Sequence, residues 1–198
     1  MLNRLVACLC ACACLMLVSL TPAKAQMFGT GEDVKYAEQL WLSLNKYRLV
    51  GPNSLLTTPY EGIEPHGFVL ETIQDTIVVN GEHRVVIVKR NYGPEGVEVE
   101  AVADDPMKYL AAHTVMVKFD KGYDTENQDW YYVKYSPDGM VLKNPAGVSL
   151  AGRVGKNADA GCIPCHASAD GDDYIYNHNR FSMGAMMKDD MKKGDMMK

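Results

Sequence analysis

Outside its first 25 residues this chain holds two cysteines, both in one run near the C-terminal end, Cys162-Ile163-Pro164-Cys165-His166. Two thiols separated by two residues and followed at once by a histidine form the attachment signature of a c-type haem. The thiols add across the porphyrin vinyl groups and the imidazole reaches the iron. Three other uses of such a pair each lack something. A redox dithiol belongs at a helix start in a strand-helix-strand context, and nothing of that kind precedes Gly161. A structural zinc site needs four ligands, but the remaining histidines, His66, His83, His113 and His178, are scattered along the chain. A plain disulfide leaves His166 without a purpose. The expectation is one covalent haem c, bound through Cys162 and Cys165 with His166 as the proximal iron ligand.

The beginning of the chain reads as an export signal. Arg4 supplies a short basic start, Leu5 to Leu20 is apolar with only small residues and a serine between, and Ala23-Lys24-Ala25 offers a small-x-small cleavage site. Cleavage after Ala25 removes Cys8, Cys10, Cys12 and Cys14 and delivers a soluble periplasmic protein. The full chain has 20 Lys and Arg against 25 Asp and Glu, a formal net charge of −5, and loss of Arg4 and Lys24 makes it more acidic. No basic patch offers itself to nucleic acid or to an anionic membrane surface. An acidic haem protein instead suits a soluble, cationic redox partner.

Residues 26–180 have the size of one domain. Residues 30–47 predict an amphipathic helix: Thr30 caps it with Asp33 three residues on, and Val34, Ala37, Leu40, Trp41 and Leu44 recur on one face. Two runs rich in β-branched residues, 67–79 and 84–90, flank Asn80-Gly81, a hairpin signal. Asp105-Pro106 opens a short helix to about Ala112, followed by a strand over 113–119. A polar loop, 122–129, leads to a strand over 129–135 that ends at Pro137-Asp138-Gly139. The glycine-rich stretch 147–155 carries no clear signal. Asn157 or Asp159 is the expected cap of a short helix bearing the haem motif, with a turn over 170–173. This pattern predicts an α+β domain, predominantly antiparallel β-sheet with flanking helices.

A haem motif at the end of a strand-rich chain excludes the commoner cytochrome layouts. Small helical electron-transfer cytochromes carry the motif near their N-terminus, and four-helix-bundle cytochromes show long 3.6-residue periodicity upstream of it. Three segments in order, the strand Thr114-Val115-Met116-Val117-Lys118, the aromatic strand Asp129-Trp130-Tyr131-Tyr132 and the C-terminal motif, give a chain that resembles the cytochrome P-460 family and its sister group, cytochrome c′-beta. The likeness runs from the hairpin near Gly67 to Asp173-Tyr174-Ile175-Tyr176. It implies a β-rich domain with a five-coordinate haem on His166. In cytochrome P-460 the lysine of the matching strand is bonded to the porphyrin and the enzyme oxidises hydroxylamine; in cytochrome c′-beta the fold binds diatomic gases. The resemblance therefore makes Lys118 the candidate haem cross-link and implies a small nitrogenous substrate or a diatomic gas, with pairing into homodimers.

Alternation along a strand puts Thr114, Met116 and Lys118 on one face and Val115, Val117 and Phe119 on the core face. Lys118 then meets either a haem edge or solvent, and Lys121 is the alternative lysine. Between Lys118 and Trp130 the chain is shorter than in cytochrome P-460, whose distal carboxylate comes from that segment. Asp120, Asp124, Glu126 and Asp129 are the acids available for general-base work. Phe68, Trp130, Tyr131 and Tyr132 are candidates for an apolar distal pocket, and His66 or His113 for a sixth ligand. From residue 181 onward, Met183, Met186, Met187, Met191, Met196 and Met197 mix with Lys, Asp and Gly, a composition expected to stay disordered rather than bind copper. The functions compatible with these residues are hydroxylamine or nitrogen-oxide chemistry at an open iron, gas binding without turnover, and plain electron transfer.

Overall fold

A computed structural model describes residues 27–171 and 173–176. The segments expected to be an export signal and a methionine-rich tail lie outside the described residues. Six strands form one antiparallel sheet in sequence order: β1 (Tyr60–Glu61), β2 (Val69–Val79), β3 (Glu82–Tyr92), β4 (Leu110–Lys118), β5 (Trp130–Tyr135) and β6 (Ala151–Gly152). Each strand therefore pairs with its neighbour in the chain, the arrangement that short connections favour. The helices are α1 (Gly31–Lys46), α2 (Val99–Asp104), α3 (Pro106–Tyr109) and α4 (Cys162–His166). The α+β expectation holds, with two short edge strands, β1 and β6, and helix α2 that the sequence pattern did not signal.

Helix α1 starts where its cap dictates. The Thr30 side chain accepts from the Asp33 backbone N–H, and the Asp33 carboxylate in turn accepts from the Thr30 backbone N–H at 3.0 Å. This reciprocal capping box satisfies two of the donors a helix start leaves free. Ala37, Leu40 and Leu44 are fully buried against Val86, Val88, Val115, Val117 and Val133 on one face of the sheet. Tyr131 and Tyr135, two strand positions on that same face, donate their hydroxyls to the carbonyls of Asp33 and Ala37, each at 2.7 Å. Helix and sheet are thus held by an apolar interface and by two hydrogen bonds that fix their register.

The hairpin lies where Asn80-Gly81 predicts it, with Val79 paired to Glu82 and positive φ at both turn residues. The short helix after Asp105 ends earlier than expected. Asp105 caps it through the Lys108 N–H, but Leu110 already belongs to β4. Pairing with β3 across a register shift at Asn91/Tyr92 draws those residues into the sheet, because ladder hydrogen bonds there outweigh one more helical turn. On the opposite face of the sheet, Ile87, Met116, Trp130 and Tyr132 form a second cluster with Val154 and Ile163 of the α4 region. This second face is where the haem motif packs.

Candidate haem site

Helix α4 carries Cys162 to His166, and its cap is Gly161 with no side-chain hydrogen bond, not Asn157 or Asp159. Gly161 has φ 133°, and a Cβ there would stand 2.7 Å from the Gly155 Cα, so the glycine-rich stretch that carried no clear signal exists to let two backbones touch. The Ile163 N–H donates to the Val154 carbonyl at 3.0 Å, and Ile163 buries its side chain in the second cluster. Together these contacts anchor the motif against the sheet.

Beyond α4 the chain folds back along it. The Trp130 indole N–H donates to the Asp173 carbonyl at 2.9 Å, and the Tyr176 hydroxyl donates to the Cys165 carbonyl at 2.8 Å. That return brings the Tyr174 carbonyl to 2.8 Å from His166 Nδ1. A carbonyl only accepts, so Nδ1 carries the proton and Nε2 keeps its lone pair. A backbone partner on the second ring nitrogen is the arrangement that orients a metal-ligating histidine. His166 is 4 % exposed, and burial holds it below the ordinary histidine range, which keeps the imidazole neutral.

His166 borders a small apolar cavity whose walls come from four elements. Ile87 and Lys89 belong to β3, Thr114 and Met116 to β4, Tyr132 to β5, and Cys162 to α4; His66 enters from the turn before β2. The lining is apolar apart from a few groups of specific chemistry. Lys89 is 6 % exposed, pairs with no carboxylate among the described residues, and lies 6.0 Å from the Tyr176 ring centroid; burial lowers its affinity for a proton. The buried Tyr132 hydroxyl has no hydrogen-bond partner among the described residues. Cys162 lines the cavity, with burial pushing its thiol up to about 12, while Cys165, one turn later, is exposed. Both thiols are free.

These features fit a haem. Two free thiols on one short helix, a histidine with an unengaged Nε2, an apolar wall, and a buried ammonium without an anion together match a flat apolar macrocycle with acidic side chains and a central metal.

The face assignment on β4 holds: Val115 and Val117 join the α1 core, and Met116 joins the haem-side cluster. Lys118 shares that face but stands outside the cavity. Its ammonium is bonded to Asp173 and lies 4.7 Å from the Trp130 ring centroid, with 30 % of its side chain exposed. Lys121 is exposed in the following turn. The lysine that lines the cavity is Lys89, on the neighbouring strand, where β-branched neighbours hid it as an ordinary strand residue.

The aromatic candidates divide by strand alternation. Trp130 and Tyr132 belong to the haem-side cluster, whereas Tyr131 is buried against α1 and Phe68 is 38 % exposed. The four loop acids do not reach the cavity. Asp120 pairs with Arg84 at 2.8 Å, Asp124 is buried against Lys156, Glu126 approaches Lys156 at 3.4 Å, and Asp129 accepts from the backbone N–H groups of Gly122 and Asp124. They hold their loop together. His113 faces α1, 5.4 Å from the Trp41 ring centroid, and is no candidate for the iron.

His66 is the residue for which the sequence carried no second signal. It borders the cavity, and its ring centroid lies 6.0 Å from that of His166. Its placement depends on a turn in which Gly62 donates to the Phe68 carbonyl at 2.7 Å; a Cβ on Gly62 would fall 2.2 Å from the Gly67 carbonyl oxygen.

The family model described as cytochrome P460 matches residues 80–177, a span that includes β3 from its first paired residue, β4, β5 and α4. No curated protein and no solved structure matches the chain.

Proposed function

Because the chain belongs to the cytochrome P460 family, whose model matches residues 80–177 and which makes it a haem cytochrome, we propose that it is an exported mono-haem c-type cytochrome that takes up small nitrogenous molecules or diatomic gases. The observation that carries this reading is the His166 Nδ1–H bond to the Tyr174 carbonyl, which leaves a buried, neutral Nε2 beside two free thiols and an apolar cavity. The haem, once bound, supplies an iron that accepts and releases single electrons and ligates small neutral molecules. Cys162 and Cys165 hold it through thioethers, and His166 ligates it from α4. Lys89, buried in the cavity lining with no protein carboxylate beside it among the described residues, would offer its positive charge to an acidic side chain of the group. Ile87, Met116 and Tyr132 exclude water from the cavity.

Two uses of such a site are separable. Hydroxylamine oxidation calls for a group that removes protons from the substrate, and among the described residues no carboxylate borders the cavity. This favours reversible binding of a neutral ligand over turnover. The Lys118 cross-link implied by the family resemblance requires that side chain to leave Asp173, and the masses of the haem-bearing proteolytic peptides read directly whether it has done so. A soluble redox partner of positive charge would suit the chain's net negative charge.

The test is made on the exported holoprotein. Nitric oxide added to the ferrous form should give a new, saturable absorption spectrum, while hydroxylamine with an artificial electron acceptor should give no sustained turnover. Steady hydroxylamine consumption would reinstate the enzymatic reading. A protein that responds to neither would be a plain electron carrier.

A further inference from the structure

Tyr174 holds its backbone in the left-handed region, at φ 58°. Asparagine and aspartate ease that conformation with a short polar side chain that bonds locally, and tyrosine has none, so it stays there only where its surroundings impose it. The carbonyl of this same residue accepts from His166 Nδ1 at 2.8 Å. The strained residue is therefore the one that fixes the proton on the haem-side histidine.

Contacts on both sides of Tyr174 do the imposing. Before it, Asp173 is gripped twice: the Trp130 indole N–H donates to its carbonyl at 2.9 Å, and the Lys118 ammonium pairs with its carboxylate. After it, Ile175 packs against the haem-side cluster and the Tyr176 hydroxyl donates to the Cys165 carbonyl at 2.8 Å. Lys118 and Trp130 are direct partners across β4 and β5, and the ammonium lies 4.7 Å from the indole ring centroid, so the two grips on Asp173 form one unit. With 51 % of the Asp173 side chain exposed, the ion pair adds little to the stability of the whole fold. Its effect is local, on where the next residue puts its carbonyl.

Resting on the haem reading above, we propose that Lys118 and Trp130 are positioning residues for the proximal ligand: through Asp173 they hold the Tyr174 carbonyl on His166 Nδ1 and so set how strongly His166 donates to the iron. A firm hydrogen bond at Nδ1 makes Nε2 the stronger base, and a stronger base favours ferric over ferrous iron. Freed from Asp173, the strap over 173–176 relaxes from the strained backbone, the bond to Nδ1 weakens, and the ferrous form gains. Lys118 thereby has a task at the haem without a bond to the porphyrin.

The experiment compares the wild-type holoprotein with Lys118→Met, Lys118→Arg and Trp130→Phe by potentiometric titration and by the iron–histidine stretching band in the resonance Raman spectrum of the ferrous form. Lys118→Met should raise the reduction potential and lower the stretching frequency; a roughly tenfold fall in the preference for ferric iron, the low end for loss of an outer partner, corresponds to about 59 mV. The sign is diagnostic, because loss of a positive charge near the iron by itself lowers the potential. Trp130→Phe changes no charge and should shift both readouts in the same sense, while Lys118→Arg keeps a partner for Asp173 and should stay near wild type. Thermal denaturation follows folding, and the exposed Lys118 position keeps the deciding variant foldable. A Lys118→Met protein whose potential is unchanged or lowered, or a Lys118→Arg protein that shifts as far as Lys118→Met, overturns the assignment. So does a haem-bearing peptide whose mass shows Lys118 bonded to the porphyrin. All three leave the haem reading intact, whereas a wild type without haem, counted on denatured protein as the pyridine complex, overturns both.

Discussion

Glu71 is a buried carboxylate on β2, and removing it should destabilise the protein strongly. Its Oε2 accepts from Arg90 Nη1 at 2.9 Å and from the Tyr92 hydroxyl; its Oε1 accepts from the Thr57 N–H at 2.7 Å. The side chains of both Glu71 and Arg90 are 3 % exposed. Arg90 also donates to the Leu49 and Leu55 carbonyls, so the cluster ties the segment between α1 and β1 to the sheet. In Glu71→Ala the guanidinium is left without its counter-charge, and the Thr57 N–H and Tyr92 hydroxyl lose their acceptor. Breaking a buried pair from one side costs about 3–5 kcal/mol, and at roughly 2–4 °C per kcal/mol for a domain of this size the midpoint should fall by about 6–20 °C. Urea unfolding of the holoprotein at pH 7 measures the loss, and an unchanged slope with denaturant would show that the variant keeps a native-like compactness. Glu71→Leu combined with Arg90→Met should recover the electrostatic part but not all of the loss, since the Leu49 and Leu55 carbonyls still lose a donor. A Glu71→Ala protein within about 1 kcal/mol of wild type would refute the reasoning, because it would mean that water or a neighbour replaces the carboxylate at negligible cost.

Three other expectations follow from the same physical accounting. His113 is 1 % exposed with neither ring nitrogen hydrogen-bonded among the described residues, and burial lowers it to about 4 from 6.5. The unfolded chain therefore binds the proton first as pH falls, and wild type should lose about 2 kcal/mol between pH 7 and pH 5 from this residue; His113→Phe should flatten that part of the urea-midpoint profile. Leu40→Ala empties a fully buried position between α1 and the sheet and should cost about 2–5 kcal/mol in urea unfolding. Gly161→Ala forces a Cβ to 2.7 Å from the Gly155 backbone at a positive φ, at a cost of about 1–3 kcal/mol. It should lower the haem content of the purified protein, measured on the denatured chain, because the strain falls on the entry to α4; full loading would show that the helix start adapts.

Local chemistry in this chain was legible wherever the signal was contained in a few consecutive residues. Thr30 and Asp33 determined where α1 begins, Asn80-Gly81 determined the hairpin, and Cys162, Cys165 and His166 stand together in any fold the chain adopts. Strand alternation was sufficient to send Val115 and Val117 to one face and Met116 to the other, because the period is two whatever the strand pairs with. Other features arise only when distant segments meet. Two-residue strands such as β1 and β6 have no periodicity of their own and exist because a longer neighbour offers its free edge. Lys118 and Lys89 look alike as strand lysines, yet Asp173 holds one outside the cavity and the absence of any nearby carboxylate among the described residues leaves the other within it. His66 lies 100 positions from His166 in the sequence, and its place beside the same cavity depends on Thr114 and Asn91 from two further strands. Sequence specifies which groups are available and their local conformation; the pairing of groups across the sheet depends on register and closure, which are properties of the whole chain and are carried by no single segment of it.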